Sequence, residues 1–157
     1  MYVDQPVVDY IEATIATIMS IHISRPPGTV LVFLPGQDDI ESAATALKMY
    51  LPDLEKQYAP RGTIDICKLY ARLAPTEQAQ AFATPKPNTR KVILATNVAE
   101  TSITIPGVKY VVDTGLAKEK TYDARTGVDS LQVQNIAKSS AKQRAGRAGR
   151  EVHLLVH

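Results

Sequence analysis

Cysteine is nearly missing from this chain: Cys67 is the only one in 157 residues. No internal disulfide can form and no thiol pair is available for a cysteine-based zinc site, which points to a reduced, intracellular setting rather than secretion. Histidine is scarce too, and His22, His153 and His157 have neither a helical pair spacing nor carboxylates beside them. No metal site is expected, and the three read as surface or packing residues. Net charge is only +2 with 22% charged residues, so no whole-molecule field argues for nucleic acid and any basic signal must be local. No apolar run approaches the ~18 residues of a membrane span. The start, Met1-Tyr2-Val3-Asp4-Gln5-Pro6, lacks the basic and apolar regions of a secretory signal. The expectation is a soluble protein with no membrane partner.

What is present suffices for a core: 45% of the residues are hydrophobic, and the length suits one globular domain over 1–157. Asp4 and Pro6 mark a helix start, after which Val8, Ile11, Ile15 and Ile18 form one stripe. Pro26-Pro27-Gly28 ends that helix, and Val30 to Leu34 is apolar without alternation, as in a strand covered on both faces. Pro35-Gly36 breaks the strand. Acids at Asp38, Asp39 and Glu41 then open a helix whose buried stripe is Ile40, Ala43, Ala44, Leu47 and Leu51.

Strands are predicted at Ile64–Leu69, Lys91–Ala95 and Val108–Val112, with a helix at about Pro75–Phe82. Pro52 to Gly62 reads as a surface connection. Lys118–Asp123 and Val128–Gln134 flank Ala124-Arg125-Thr126-Gly127 as a hairpin would. The fold class is therefore α/β, a mainly parallel sheet flanked by helices, with an inserted antiparallel β-hairpin at about 118–134.

One segment carries a chemical signal: Gln143-Arg144-Ala145-Gly146-Arg147-Ala148-Gly149-Arg150. In a helix, Gln143, Arg147 and Arg150 stand at i, i+4 and i+7 and share a face, while Arg144 points elsewhere. Each internal glycine costs ~1 kcal/mol relative to alanine, which calls for an offset such as close approach of another backbone or a ligand. Lys138, Lys142, Arg144, Arg147 and Arg150 are unrelieved by an acid until Glu151, which makes the segment an anion site in search of an anion. Phosphoryl transfer wants this pattern, because arginines stabilise charge growing on phosphoryl oxygens and a polar group can orient the attacking water. A solvated basic helix, or one whose small residues only permit close packing, fits the same letters equally well.

The rest of the chain resembles a known family. Gln143 to Arg150 is identical to motif VI of the DEAH-box RNA helicases of superfamily 2, and Ala95-Thr96-Asn97-Val98-Ala99-Glu100-Thr101-Ser102-Ile103-Thr104-Ile105 matches their motif V. Val30 to Glu41 is similar to motif IV, and Leu69-Tyr70-Ala71-Arg72-Leu73, continuing to Phe82, to the block after it. Order and spacing agree from about residue 5 to residue 150. Viral superfamily 2 helicases share a similar arginine motif but not this motif V. The chain resembles the second RecA-like domain of such an enzyme.

The resemblance implies that Arg147 and Arg150 are arginine fingers toward ATP and that Gln143 positions the lytic water. It places Phe82 on the adenine base, although a Phe ending an amphipathic helix is also an ordinary core residue. Thr104 and the residue two positions on reach the nucleotide ribose in relatives; Pro106 stands where many carry aspartate, which puts that contact in doubt. Thr96 and Asn97, after a strand's carboxyl end, together with Ser102, are implied RNA contacts. So are Gly36 and Gln37, where the glycine could equally only make the turn. The hairpin matches one that projects toward the RNA channel in these enzymes, with Lys118, Lys120 and Arg125 as its RNA-proximal cations, or else it is a packing element.

No Gly-x-x-x-x-Gly-Lys-Ser/Thr loop and no Asp-Glu-Ala-His run occurs, so ATP and its Mg²⁺ must be held by a first RecA-like domain, and the isolated chain is expected to be inactive. Implied partners are RNA, that first domain, and a glycine-rich-patch activator acting on the full-length enzyme. The implied location is nuclear or nucleolar, or else cytoplasmic. Residues 151–157 depart from the family and read as a last strand, a truncation or a shifted reading of the gene. Two other functions stay open: a catalytically inactive stand-alone RNA- or protein-binding module, and the equivalent lobe of another superfamily 2 helicase, of DNA or viral type.

Overall fold

The computed structural model describes residues 10–57, 62–100, 104–147 and 152–155; the side chains of 119–121, 123, 129 and 152–155 fall outside that description. In chain order the elements are α1 (Tyr10–Ser24), β1 (Thr29–Phe33), α2 (Gln37–Gln57), β2 (Thr63–Leu69), α3 (Pro75–Phe82), β3 (Thr89–Ala95), a 3-10 turn (Asn97–Ala99), β4 (Val108–Asp113), β5 (Leu116–Asp123), β6 (Val128–Asn135), α4 (Lys138–Gly146) and β7 (Val152–Leu155). One sheet has five strands in the order β2-β3-β1-β4-β7, every pairing in it parallel. β5 and β6 form a separate antiparallel pair.

Residue chemistry explains the layering. All of β1 is buried, as a central strand with helices on both faces requires. Val30, Val32 and Leu34 point into one core with Ile15, Ile18 and Ile21 of α1 and Ile40, Ala43 and Leu47 of α2. Leu31 and Phe33 point the other way, to Cys67, Ala81, Ala99 and Ile105. The period of two along β1 thus feeds two cores from one strand. Burial among apolar groups pushes the Cys67 thiol up to about 11, which makes it a packing residue with no thiolate at neutral pH.

One expectation changes. Pro52 does not open a connection: α2 runs through it to Gln57. A proline removes one helical hydrogen bond, but Leu54 beyond it is buried in the core and the Glu55 carboxylate accepts from the Ile64 amide at 3.3 Å. Tertiary contacts hold the last turns. Residues 58–61 lie outside the described residues, as do Asp4, Pro6 and Val8 of the expected first helix. At the other end, Val152–Leu155 is a strand paired in parallel with Tyr110–Asp113 of β4, the last strand that the tail's apolar letters allow.

His22 is buried and serves packing. Its Nδ1 accepts from Arg90 Nε at 3.1 Å, while the Arg90 Nη groups donate to the carbonyls of Gly28, Arg25 and Pro26. Arg90 thereby satisfies carbonyls of the connection that follows α1, beside the helix's carboxyl end, where a cation is favoured.

Candidate nucleotide and nucleic-acid site

Parallel strands end together, and that brings the motif segments to one edge. Phe33 of β1 is in register with Ala95 of β3 and Asp113 of β4, and Leu69 of β2 with Ala95. Leu34-Pro35-Gly36, Thr96-Asn97, Thr114-Gly115 and the hairpin base therefore emerge side by side at the carboxyl edge. Backbone bonds stitch them together, with Leu34 N to Ala95 O at 2.8 Å, Thr96 N to Leu69 O at 3.2 Å and Lys118 N to Pro35 O at 3.3 Å. Open α/β sheets bind ligands at this edge.

The arginine segment is fastened to the same edge by a residue the sequence reading set aside. Arg144 is fully buried. Its Nη1 donates to Asp113 Oδ1 and its Nε to Glu100 Oε2, each at 2.8 Å, and its Cζ lies 4.7 Å from the Phe33 ring centroid. The ring offsets part of the cost of Nη2, which has no hydrogen-bond partner among the described residues. One of the five cations thought to await an anion already has two carboxylates inside the domain. A helix-face projection could indicate that Arg144 points away from Gln143 and Arg147, but not what it meets.

Arg147 follows the last residue of α4 in a helical conformation. It is half-buried, and its Nε donates to the Glu100 carbonyl at 2.9 Å, while its terminal nitrogens have no hydrogen-bond partner among the described residues. Gln143 is exposed. Arg150 lies outside the described residues. An added Cβ at Gly146 meets nothing within 4 Å, so no close approach among the described residues accounts for that glycine.

Thr96 is half-buried and Asn97 exposed at the start of the 3-10 turn. Gln37 is exposed, whereas Gly36 is buried; a Cβ there would sit 2.8 Å from Lys118 Cε. The absent side chain makes room for Lys118, whose Nζ lies 3.8 Å from Asp38 Oδ2. Motif IV and the hairpin base are thus packed on one another. Phe82 is half-buried at the rim of the second core. Thr104 and Pro106 are exposed, as is Arg125 in the turn of the hairpin. Ser102 lies outside the described residues, and of Lys120 only the backbone is described, opposite Leu131. Val128 and Leu131 are exposed on β6.

A cleft of about 450 Å³ lined by His22, Arg25, Lys86, Asn88 and Arg90 lies at the opposite, amino end of the strands. Its cations include Arg90, which is committed to carbonyls of the connection between α1 and β1, and it is remote from the motif segments. The carboxyl edge is the better candidate because the residues of three motifs converge there.

Residues 12–151 match the model of the helicase conserved C-terminal domain. The crystal structure of the E. coli DExH-box NTPase HrpB superposes with a TM-score of 0.76 at 34% identity, covering 94% of this chain and 18% of that one. A crystal structure of Escherichia coli DEAH/RHA helicase HrpB gives a TM-score of 0.75 at 34% identity, covering 93% and 18%. This chain belongs to the helicase C-terminal domain family, as the second RecA-like domain of a DEAH-box, superfamily 2 helicase. It spans under a fifth of the two HrpB chains, 18% of each.

Proposed function

We propose that this domain is the second motor lobe of an ATP-dependent RNA helicase, the arginine-bearing half of an ATPase whose other half is a first RecA-like lobe. Arg147, held through Nε, turns its terminal nitrogens to the phosphates, joined by Arg150, while Gln143 orients the attacking water. Phe82 stacks on adenine, and Thr104 and the backbone around Pro106 face the ribose. Thr96, Asn97, Ser102, Gly36 and Gln37 take the RNA backbone, with Lys120 and Arg125 on the hairpin beside its path. The Mg²⁺ that accompanies ATP is assigned to the first lobe, because this sequence has neither a Gly-x-x-x-x-Gly-Lys-Ser/Thr loop nor an Asp-Glu-Ala-His run.

The observation that carries this is the tie between the motif V turn and the arginine segment, Arg147 Nε to Glu100 O at 2.9 Å, at the edge where parallel sheets bind ligands. RNA rather than DNA, activation by a glycine-rich-patch protein, and nuclear or nucleolar placement rest on the family resemblance alone. Both solved relatives are from E. coli, which has no nucleus.

Arg147→Ala in a two-lobed enzyme carrying this domain tests the assignment. Loss of an arginine finger lowers turnover about 10³-fold or more, with RNA affinity nearly intact. Collapse of RNA binding with turnover preserved would make α4 and its arginines a nucleic-acid-binding helix instead.

A further inference from the structure

Glu100 belongs to motif V but has no role in the assignment above. Among the described residues it is the one that touches two arginines of the α4 segment: its carboxylate accepts from Arg144 Nε at 2.8 Å and its carbonyl from Arg147 Nε at 2.9 Å. The two bonds differ in kind. Arg144 is a fixed point, fully buried and locked to Asp113, which has no exposed side-chain surface. Arg147 is half-buried, and among the described residues its terminal nitrogens have no hydrogen-bond partner.

The other end of the connection is short. Glu100 N donates to Asn97 O at 3.0 Å and Ala99 N to Thr96 O at 3.2 Å, so Thr96, Asn97 and Glu100 form one hydrogen-bonded turn. Ala99 is buried in the second core and pins that turn from beneath. A shift of Thr96 and Asn97 is therefore passed to the Glu100 carbonyl, and from there to the direction in which Arg147 points.

We infer that Glu100 is a positioning residue that couples nucleic-acid contact at Thr96-Asn97 to the placement of Arg147, its carboxylate clamping the turn to the buried Arg144 so that its carbonyl holds Arg147 in one place. This rests on the reading of Arg147 as an arginine finger. Glutamine at this position keeps the backbone carbonyl and the side-chain shape but removes the charge that Arg144 grips.

The test uses a two-lobed enzyme carrying this domain, with a uridine homopolymer as the RNA. Glu100→Gln, Glu100→Asp and Arg147→Ala are compared for ATP turnover with and without RNA, ATP KM, RNA affinity and thermal midpoint. Coupling predicts that Glu100→Gln lowers the ratio of stimulated to unstimulated turnover about tenfold, with KM and RNA affinity within about twofold. Glu100→Asp keeps the charge and recovers more of that ratio than Glu100→Gln does. An unchanged ratio overturns the inference. So does a Glu100→Gln enzyme that unfolds below the assay temperature or loses both rates in parallel, since either marks a purely structural residue. If Arg147→Ala turns over normally, the arginine-finger reading falls and this inference falls with it. If Arg147→Ala is inactive while Glu100→Gln keeps the ratio, only the role of Glu100 is lost.

Discussion

Arg144 Nη1 lies 2.8 Å from Asp113 Oδ1, and neither side chain has any exposed surface. A helix residue and the last residue of a central strand are thereby joined at the point where the arginine segment meets the sheet. Removing one side of a buried ion pair leaves the other charge without its counter-ion, at a cost of about 3–5 kcal/mol, even though Asp113 keeps its bond from the Gly115 amide at 2.8 Å. Arg144→Ala is expected to destabilise the domain by that amount in urea unfolding. Arg72→Ala, at an exposed position, is expected to stay within about 0.5 kcal/mol of the parent.

Two glycines near structural joints should lose unequal stability on substitution by alanine. Gly62 has φ +86, and its Cβ would come within 2.3 Å of the Asn88 carbonyl oxygen, a backbone atom that also accepts from Thr63 N. Gly62→Ala is expected to cost about 2 kcal/mol or more. At Gly36 the obstacle is the flexible end of Lys118, which can swing away, so Gly36→Ala should cost under about 1 kcal/mol. Thermal unfolding of both variants compares them directly, and equal losses would contradict the geometry.

Glu41 joins α2 to the end of β2 and the residue after it. Its carboxylate accepts from Lys68 Nζ at 2.7 Å and from Tyr70 OH at 2.9 Å. The Lys68 bond first, then the Tyr70 bond, hold its pKa below the ordinary 4.5. A carboxyl group with a lowered folded-state pKa contributes stability that is complete above its ordinary value and lost as pH falls through the folded one. The pair is exposed enough that the contribution should be under about 1 kcal/mol. Glu41→Gln is expected to be slightly less stable than the parent at neutral pH, with the gap closing as pH falls below 4.5. A gap that widens in acid would reverse the assignment.

Much of the fold is legible in the letters because its central strands obey a simple rule. β1 is buried along its whole length, and unbroken apolar runs announce such strands without any partner. The hairpin is equally plain, its turn residues flanked by segments that pair from Leu116↔Asn135 to Asp123↔Val128. Pro52 misled because local propensity weighs against a proline that Leu54 and Glu55 overrule from beyond it. The site was legible only in part. Periodicity could group Gln143 with Arg147, but the partners of Arg144 lie 31 and 44 positions away in sequence, beyond the reach of any helical or strand period. Glu100 and Asp113 became meaningful only once the parallel sheet brought their segments to one edge.

The central claim is that this domain supplies arginines to an ATPase that is completed from outside it. Phosphate release should be measured for this chain alone, for a cognate first RecA-like lobe alone, and for the two together with and without RNA. Negligible release from this chain alone and RNA-stimulated turnover from the combination is the predicted result. RNA-stimulated turnover by the isolated chain, or a combination no more active than the first lobe by itself, would contradict it.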